Sequence, residues 1–163
     1  MSPVQIPSFT SLALHGQAPP DWADVVVEPV PADRASTELD PAQWAHEIFS
    51  VQSVPVPVVA LLGLRQALAP LIGVPRADTS TIFAVSERVG EEAVIVAPDR
   101  HLDFRAAVGI DREARLVRVT TAVWFHGWRG RLYFLPVRLL HDPVLRAMMR
   151  RAIRRAGRGT MAG

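Results

Sequence analysis

The chain has no cysteine, no lysine and a single tyrosine among its 163 residues. Without cysteine there is no disulfide, no thiolate nucleophile and no sulfur ligand for a metal, and nothing points to an oxidised, cross-linked scaffold. Without lysine, all 18 basic residues are arginine, so few groups titrate between histidine and arginine. The sequence pI of about 10.3 therefore sits on a formal charge of only +2, which is not that of a nucleic-acid binder. Several catalytic signatures are missing too: the Gly-x-Ser-x-Gly elbow, the P-loop, the His-Glu-x-x-His pair and the glycine-rich dinucleotide motif. The five histidines are spread too widely to argue for zinc. No cofactor and no metal are expected.

The start, MSPVQIPSFT, lacks the basic residues and continuous apolar core of a secretory leader. The most apolar run, VPVPVVALLGLRQALAPLIG, is broken by prolines, Arg65 and Gln66, too often for a spanning helix. A cytoplasmic protein without integral membrane association is the expectation.

What is present is ordinary globular composition, 49% hydrophobic and 21% charged, in a chain long enough for one domain with a proper core. The charge is unevenly placed. Residues 1–125 hold nine arginines against fifteen acids, a formal −6, and residues 126–163 hold nine arginines against Asp142 alone, a formal +8. A basic end on an acidic body can steer an anionic ligand or a membrane surface; the plain structural reading is a solvated helix face.

Residues 1–20 are an irregular N-terminal segment, interrupted by Pro3, Pro7, Gly16, Pro19 and Pro20. Residues 21–157 read as a single domain and 158–163 as a flexible tail. The β-branched run in DWADVVVEPV predicts a strand over 22–28. Asp40 as N-cap and Pro41 at the first helical position predict a short helix to Phe49, burying Trp44 and Ile48. A second helix is expected over 57–71, with Val58, Leu61, Leu62 and Leu68 as its apolar stripe.

From residue 80 the period becomes alternating. A hairpin turn at VGEE, strands over 101–110 and 116–125, and a turn at DREAR predict four consecutive antiparallel strands. The remainder is helical in period. Leu132, Val137, Leu140, Leu145, Met148 and Ala152 form a stripe, and arginines 146, 150, 151, 154, 155 and 158 lie mostly opposite. Asp142-Pro143 marks a restart or kink. The expected architecture is α+β: a curved antiparallel sheet of five or six strands on a long C-terminal helix, with two short helices after the first strand.

Three stretches carry a resemblance: DWADVVVEPVP with DPAQWAHEIF, APDRHLDFRAAV, and VTTAVWFHGWRGRLYFLPVRLLHDPVLRAMMRRA. Together they resemble the bacterial family catalogued as domain of unknown function 2867, over about residues 20 to 156. That family is similar to the helix-grip superfamily of START and polyketide-cyclase-like proteins, known as SRPBCC. The chain departs from the family pattern around Leu139-Leu140-His141-Asp142-Pro143, where Pro-Phe usually precedes the histidine. The resemblance implies a small apolar or amphipathic ligand, lipid-like or polyketide-like, between sheet and helix. Phe104, Val119, Thr121, Val123 and Met148 would line that cavity. His126, Arg131, Tyr133 and His141 would stand by its entrance; alternatively Arg131 and Tyr133 only cap and pack the helix start, and Met148 only fills core.

The rival reading is a cofactor-independent enzyme in the same cavity: a cyclase, an aldolase-like enzyme or a hydrolase. His101, Asp103 and Arg105 share one strand face, because side chains alternate with a period of two. A carboxylate there can orient an imidazole as general base while a guanidinium steadies an oxyanion. His101–Asp103 or His141 would be the base, and Arg105 or Arg131 the stabiliser. The plain reading is a solvated Asp–Arg pair worth under about 1 kcal/mol. Arg118, Thr120, Ala122, Trp124 and His126 of the next strand would extend the same face. A tryptophan on a wet face implies an interface, such as a homodimer, or cover by the N-terminal segment.

Overall fold

The computed structural model describes residues 11–31, 38–50, 53, 85–98 and 101–157. Strand β1 (Trp22–Pro29) is followed by helix α1 (Pro41–Phe49), strands β2 (Val85–Val89), β3 (Glu92–Pro98), β4 (Leu102–Asp111) and β5 (Leu116–Phe125), and helix α2 (Trp128–Ala156). The helix expected over 57–71 lies outside the described residues. The domain is α+β: an open, five-stranded antiparallel sheet in the order β1-β5-β4-β3-β2, with a C-terminal helix.

Local chemistry accounts for most boundaries. At the β2–β3 hairpin Gly90 takes φ +55°, a left-handed conformation that costs glycine little. At the β4–β5 turn the Asp111 side chain accepts the Ala114 amide at 2.8 Å, and Arg115 closes the turn at φ 55°. Helix α1 opens with a reciprocal cap: Asp40 accepts the Gln43 amide at 2.8 Å, and the Gln43 side chain accepts the Asp40 amide at 2.8 Å. That Gln43 amide, aided by Arg88, holds the Asp40 carboxyl below its usual range.

The first strand is not a neighbour of the second. It returns to pair with the last, with Trp22 opposite Val123, Asp24 opposite Thr121 and Val26 opposite Val119. Alternation then sends Trp22, Asp24, Val26 and Glu28 to one face of the sheet, the face that both helices cover. The main core lies there: Val26, Val108, Val117 and Val119 from the strands meet Trp44 and Ile48 from α1 and Leu145, Met149 and Ile153 from α2. Each such fully buried side chain stabilises the fold by roughly 1.5–3 kcal/mol before entropy is counted.

The two halves of α2 differ. Residues after His141 supply the core with Leu145, Met149 and Ile153, and three of their arginines, Arg146, Arg150 and Arg155, reach acids. Arg146 and Arg150 reach the two oxygens of Glu28 at 3.4 and 3.0 Å, and Arg155 reaches Glu47 at 2.9 Å. A carboxylate as buried as Glu28 needs such partners, which Arg146 and Arg150 supply. Residues before His141 leave Trp128, Leu132, Leu135 and Leu139 exposed. Gly130, at the helix start, lies so close to the His101 carbonyl oxygen that a Cβ there would collide with it.

The opposite face of the sheet is covered by residues 11–18, which form turns without strand or helix. Ala13 packs against Val94, Ala107 and Ala122, with Trp124 at the margin, so the cover for Trp124 comes from the N-terminal segment. Glu92 anchors that cover: one carboxylate oxygen accepts the Leu12 amide at 2.7 Å and the other pairs with Arg118 at 2.6 Å. Gly109 leaves the space they use, since a Cβ there would stand 2.8 Å from Arg118 Nε. No helix among the described residues is long and apolar enough to cross a membrane.

Candidate functional site

Two clefts flank the sheet at the end where β1 starts and β5 finishes. On the helix side, Asp21, Trp22, Phe125, Arg131, Phe134, Leu135 and Arg138 surround about 330 Å³. Arg131, Phe134, Leu135 and Arg138 lie three and four residues apart, so they present one helix face to the strand ends. The aromatic rings meet edge-on or tilted, Trp22 at 4.9 Å and Phe125 at 5.3 Å from Phe134. Asp21 braces the rim by accepting the Phe125 amide at 2.8 Å and pairing with Arg131 at 3.3 Å.

One helical turn further on is His141. Its Nδ1 lies 3.1 Å from Asp24 Oδ2, and its ring meets Trp22 edge-on at 4.9 Å. Burial pushes the imidazole below its ordinary pKa, and the hydrogen bond and charge of Asp24 only partly oppose this. The ring is therefore neutral near neutral pH. An accepting carboxylate at Nδ1 places the proton there and leaves Nε2 as the basic nitrogen, which is the arrangement of a general base held in one tautomer.

On the other face, Gln17, Ala18, Val96, Pro98, Asp103, Arg105 and Trp124 surround about 320 Å³. The Trp124 indole N–H donates to the Ala18 carbonyl at 2.9 Å, which fixes the ring as a wall. Asp103 is 3.0 Å from His126 Nε2, both side chains being about half exposed. Arg105 is half-buried and forms no hydrogen bond or ion pair among the described residues.

The expected site residues are thus divided between two faces. Asp103 and Arg105 share one cleft, as their alternation requires. The imidazole on Asp103 belongs to His126, whereas His101 sits at the turn before β4 and accepts the His126 amide through its carbonyl at 2.8 Å. Arg131 lines the helix-side cleft with His141 beside it, and Tyr133 falls in the first half of α2. Phe104 is half-buried against the main core. Val119, Thr121 and Val123 are fully buried, and Val119 and Met148 belong to the main core. The helix-side cleft opens nearer the helix start, against Trp22, Phe125 and Phe134.

Asp21, Trp22, Asp24 and Phe134 are the residues that sequence reasoning did not single out. For Trp22 and Asp24 the signal lies in WADVVVEP, where a strict alternation puts Trp22, Asp24 and Glu28 on the same face as Val26. Among the described residues no three histidine or acidic side chains are placed to hold a metal ion.

The class these observations define is an α+β domain with a C-terminal helix on an antiparallel sheet and a cleft on each side of it. The chain belongs to the family described as protein of unknown function (DUF2867), whose model matches residues 18–148. That stretch contains every residue of the helix-side cleft and, on the other face, all but Gln17. No curated protein and no solved structure matches the chain.

Proposed function

We propose that this is a helix-grip domain of the START and polyketide-cyclase-like kind that binds a small amphipathic molecule, lipid-like or polyketide-like, where α2 leaves the sheet. The observation that carries the reading is the helix-side cleft, with three aromatic rings inside and Arg131 and Arg138 at its rim. Aromatic walls with a few placed polar groups are the usual make-up of a ligand site. Leu135 joins the cleft to the exposed stripe of Trp128, Leu132 and Leu139, so an apolar chain longer than the cleft has a surface to lie on. Topology supports the same reading: the first strand returns beside the last, and the C-terminal helix crosses the face they share.

Titration with dodecanoate, followed by intrinsic tryptophan fluorescence, tests it. Saturable binding is expected, and Leu135→Glu combined with Arg138→Glu, both at exposed positions, weakens it at least tenfold. Undiminished binding by that double variant removes the cleft from consideration.

A second reading, a cofactor-independent enzyme such as a cyclase, aldolase-like enzyme or hydrolase, is favoured by one feature: the Asp24–His141 pair at the cleft's inner border. His141 would take a proton from the bound molecule and Arg131 would steady the oxyanion that forms. Native mass spectrometry of the protein from its own host supplies the retained compound for assay. His141→Asn then keeps binding and loses turnover; turnover that survives the substitution refutes the catalytic role.

A further inference from the structure

We propose that the cleft on the face away from the helices is a separate binding site for a small monocarboxylate with a flat apolar body, held by Arg105. Five arginines are half-buried among the described residues. Four of them have acceptors: Arg118 pairs with Glu92, Arg146 with Glu28 and Asp142, Arg155 with Glu47, and Arg151 donates to the Ser53 carbonyl. Arg105 stands apart, with no acceptor among the described residues. A guanidinium does not deprotonate, so withdrawing it from water without an acceptor costs stability and leaves five donors aimed at whatever enters. A carboxylate fits that fork with two parallel hydrogen bonds.

The rest of the cleft sets the ligand's shape and charge. Trp124 is held by its bond to Ala18 and offers a flat wall, while Val96 and Pro98 are apolar neighbours. The volume of about 320 Å³ lies at the small end of ligand sites and suits a body the size of one aromatic ring. Asp103 lines the same space and is turned to His126. Its carboxylate repels a second negative charge, which selects monoanions over dianions. This site and the helix-side cleft lie on opposite faces, so each stands or falls independently.

The test is amide and indole chemical-shift mapping of the full chain with sodium benzoate, benzamide and phthalate. Benzoate is expected to shift the Trp124 indole and the 103–106 amides saturably, with benzamide and phthalate at least tenfold weaker. Arg105→Gln should abolish the benzoate response at Trp124 without lowering the thermal midpoint, because an uncompensated cation has been removed. Arg105→Lys should bind with intermediate strength. Benzoate raises the midpoint of the parent chain and leaves that of Arg105→Gln unmoved. Equal affinity for benzoate and benzamide, absence of saturable shifts at Trp124, or full benzoate binding by Arg105→Gln would each overturn the proposal. Shifts confined to the surroundings of Trp22 also overturn it, since they place the carboxylate in the helix-side cleft.

Discussion

On the helix side of the sheet the acids come in pairs made by the protein itself, Asp21 with Arg131, Asp24 with His141 and Glu28 with Arg146 and Arg150, and the further cation of the cleft, Arg138, is exposed at its rim. On the other side Asp103 has His126 and Glu92 has Arg118, but the half-buried Arg105 has no acceptor among the described residues. Both clefts are of similar size and sit at the same end of the sheet. They differ in what they ask of a ligand. A cleft walled by three aromatic rings, with its cations exposed at the rim, discriminates first by shape and apolar contact. A cleft with an unmatched cation discriminates first by charge. The sheet thus separates two chemistries that alternation along β4 and β5 assigns to opposite faces.

The substitution with the largest expected effect abolishes the comparison by loosening both sides together. Gly130→Val drives a side chain into the His101 carbonyl, which also holds the His126 amide. A loss of about 3 kcal/mol is expected from such overpacking, read by urea denaturation. A variant of parent stability would show that α2 is not pinned to β4.

Trp124→Phe sharpens the comparison by touching one side alone. It removes the indole N–H that reaches Ala18 and is expected to cost about 1 kcal/mol. Amide exchange should quicken in residues 11–18 and stay unchanged in α2; equal quickening in both elements contradicts the separation of the faces.

His141 provides a pH signature for the helix side. Its folded pKa is below that of the unfolded chain, so the stability it contributes is complete above about pH 6.5. That contribution is lost as the pH falls through the lowered folded value, because the unfolded chain takes up the proton first. Unfolding free energies measured between pH 7.5 and pH 5 should slope downward in the parent and less steeply in His141→Gln. Parallel slopes would refute a buried neutral imidazole.

The smallest effect belongs to the exposed pair on the other face. His126→Gln should change stability by less than about 1 kcal/mol, since both partners are largely in water. Its informative readout is benzoate binding, which should weaken as Asp103 loses its partner and turns its charge on the cleft.

The strands and caps were legible because their signals are local. The run at 22–28, the Asp40-Pro41 start and the alternation through 101–110 each appear within a residue or two of where the residues place them. The face of β5 that carries Trp124 was legible as an anomaly, an aromatic in a polar register, and the N-terminal segment resolves it. The candidate sites were less legible, because their geometry is made by distant pairing. Asp24 meets His141 across 117 residues, a contact that exists only because β1 returns to β5. Alternation sets Val119, Thr121 and Val123 opposite Val26, Asp24 and Trp22 of β1. Which helix side chains meet them is decided by distant pairing: Val119 shares the main core with Ile48 and Met149. That Arg105 has no acceptor among the described residues is a property of its three-dimensional surroundings, and no local pattern expresses it.

Glu92 bears on the order in which the molecule comes together. Its carboxylate joins β3 to Arg118 on β5 and to the Leu12 amide, and the patch that receives Ala13 needs Val94, Ala107 and Ala122 from three different strands. Residues 11–18 have no surface to settle on until β3, β4 and β5 are all in register. A segment that lies ahead of every strand of the sheet therefore docks only once β3, β4 and β5 have paired, and the wall that Trp124 presents to Arg105 is not available before the final strand is in place.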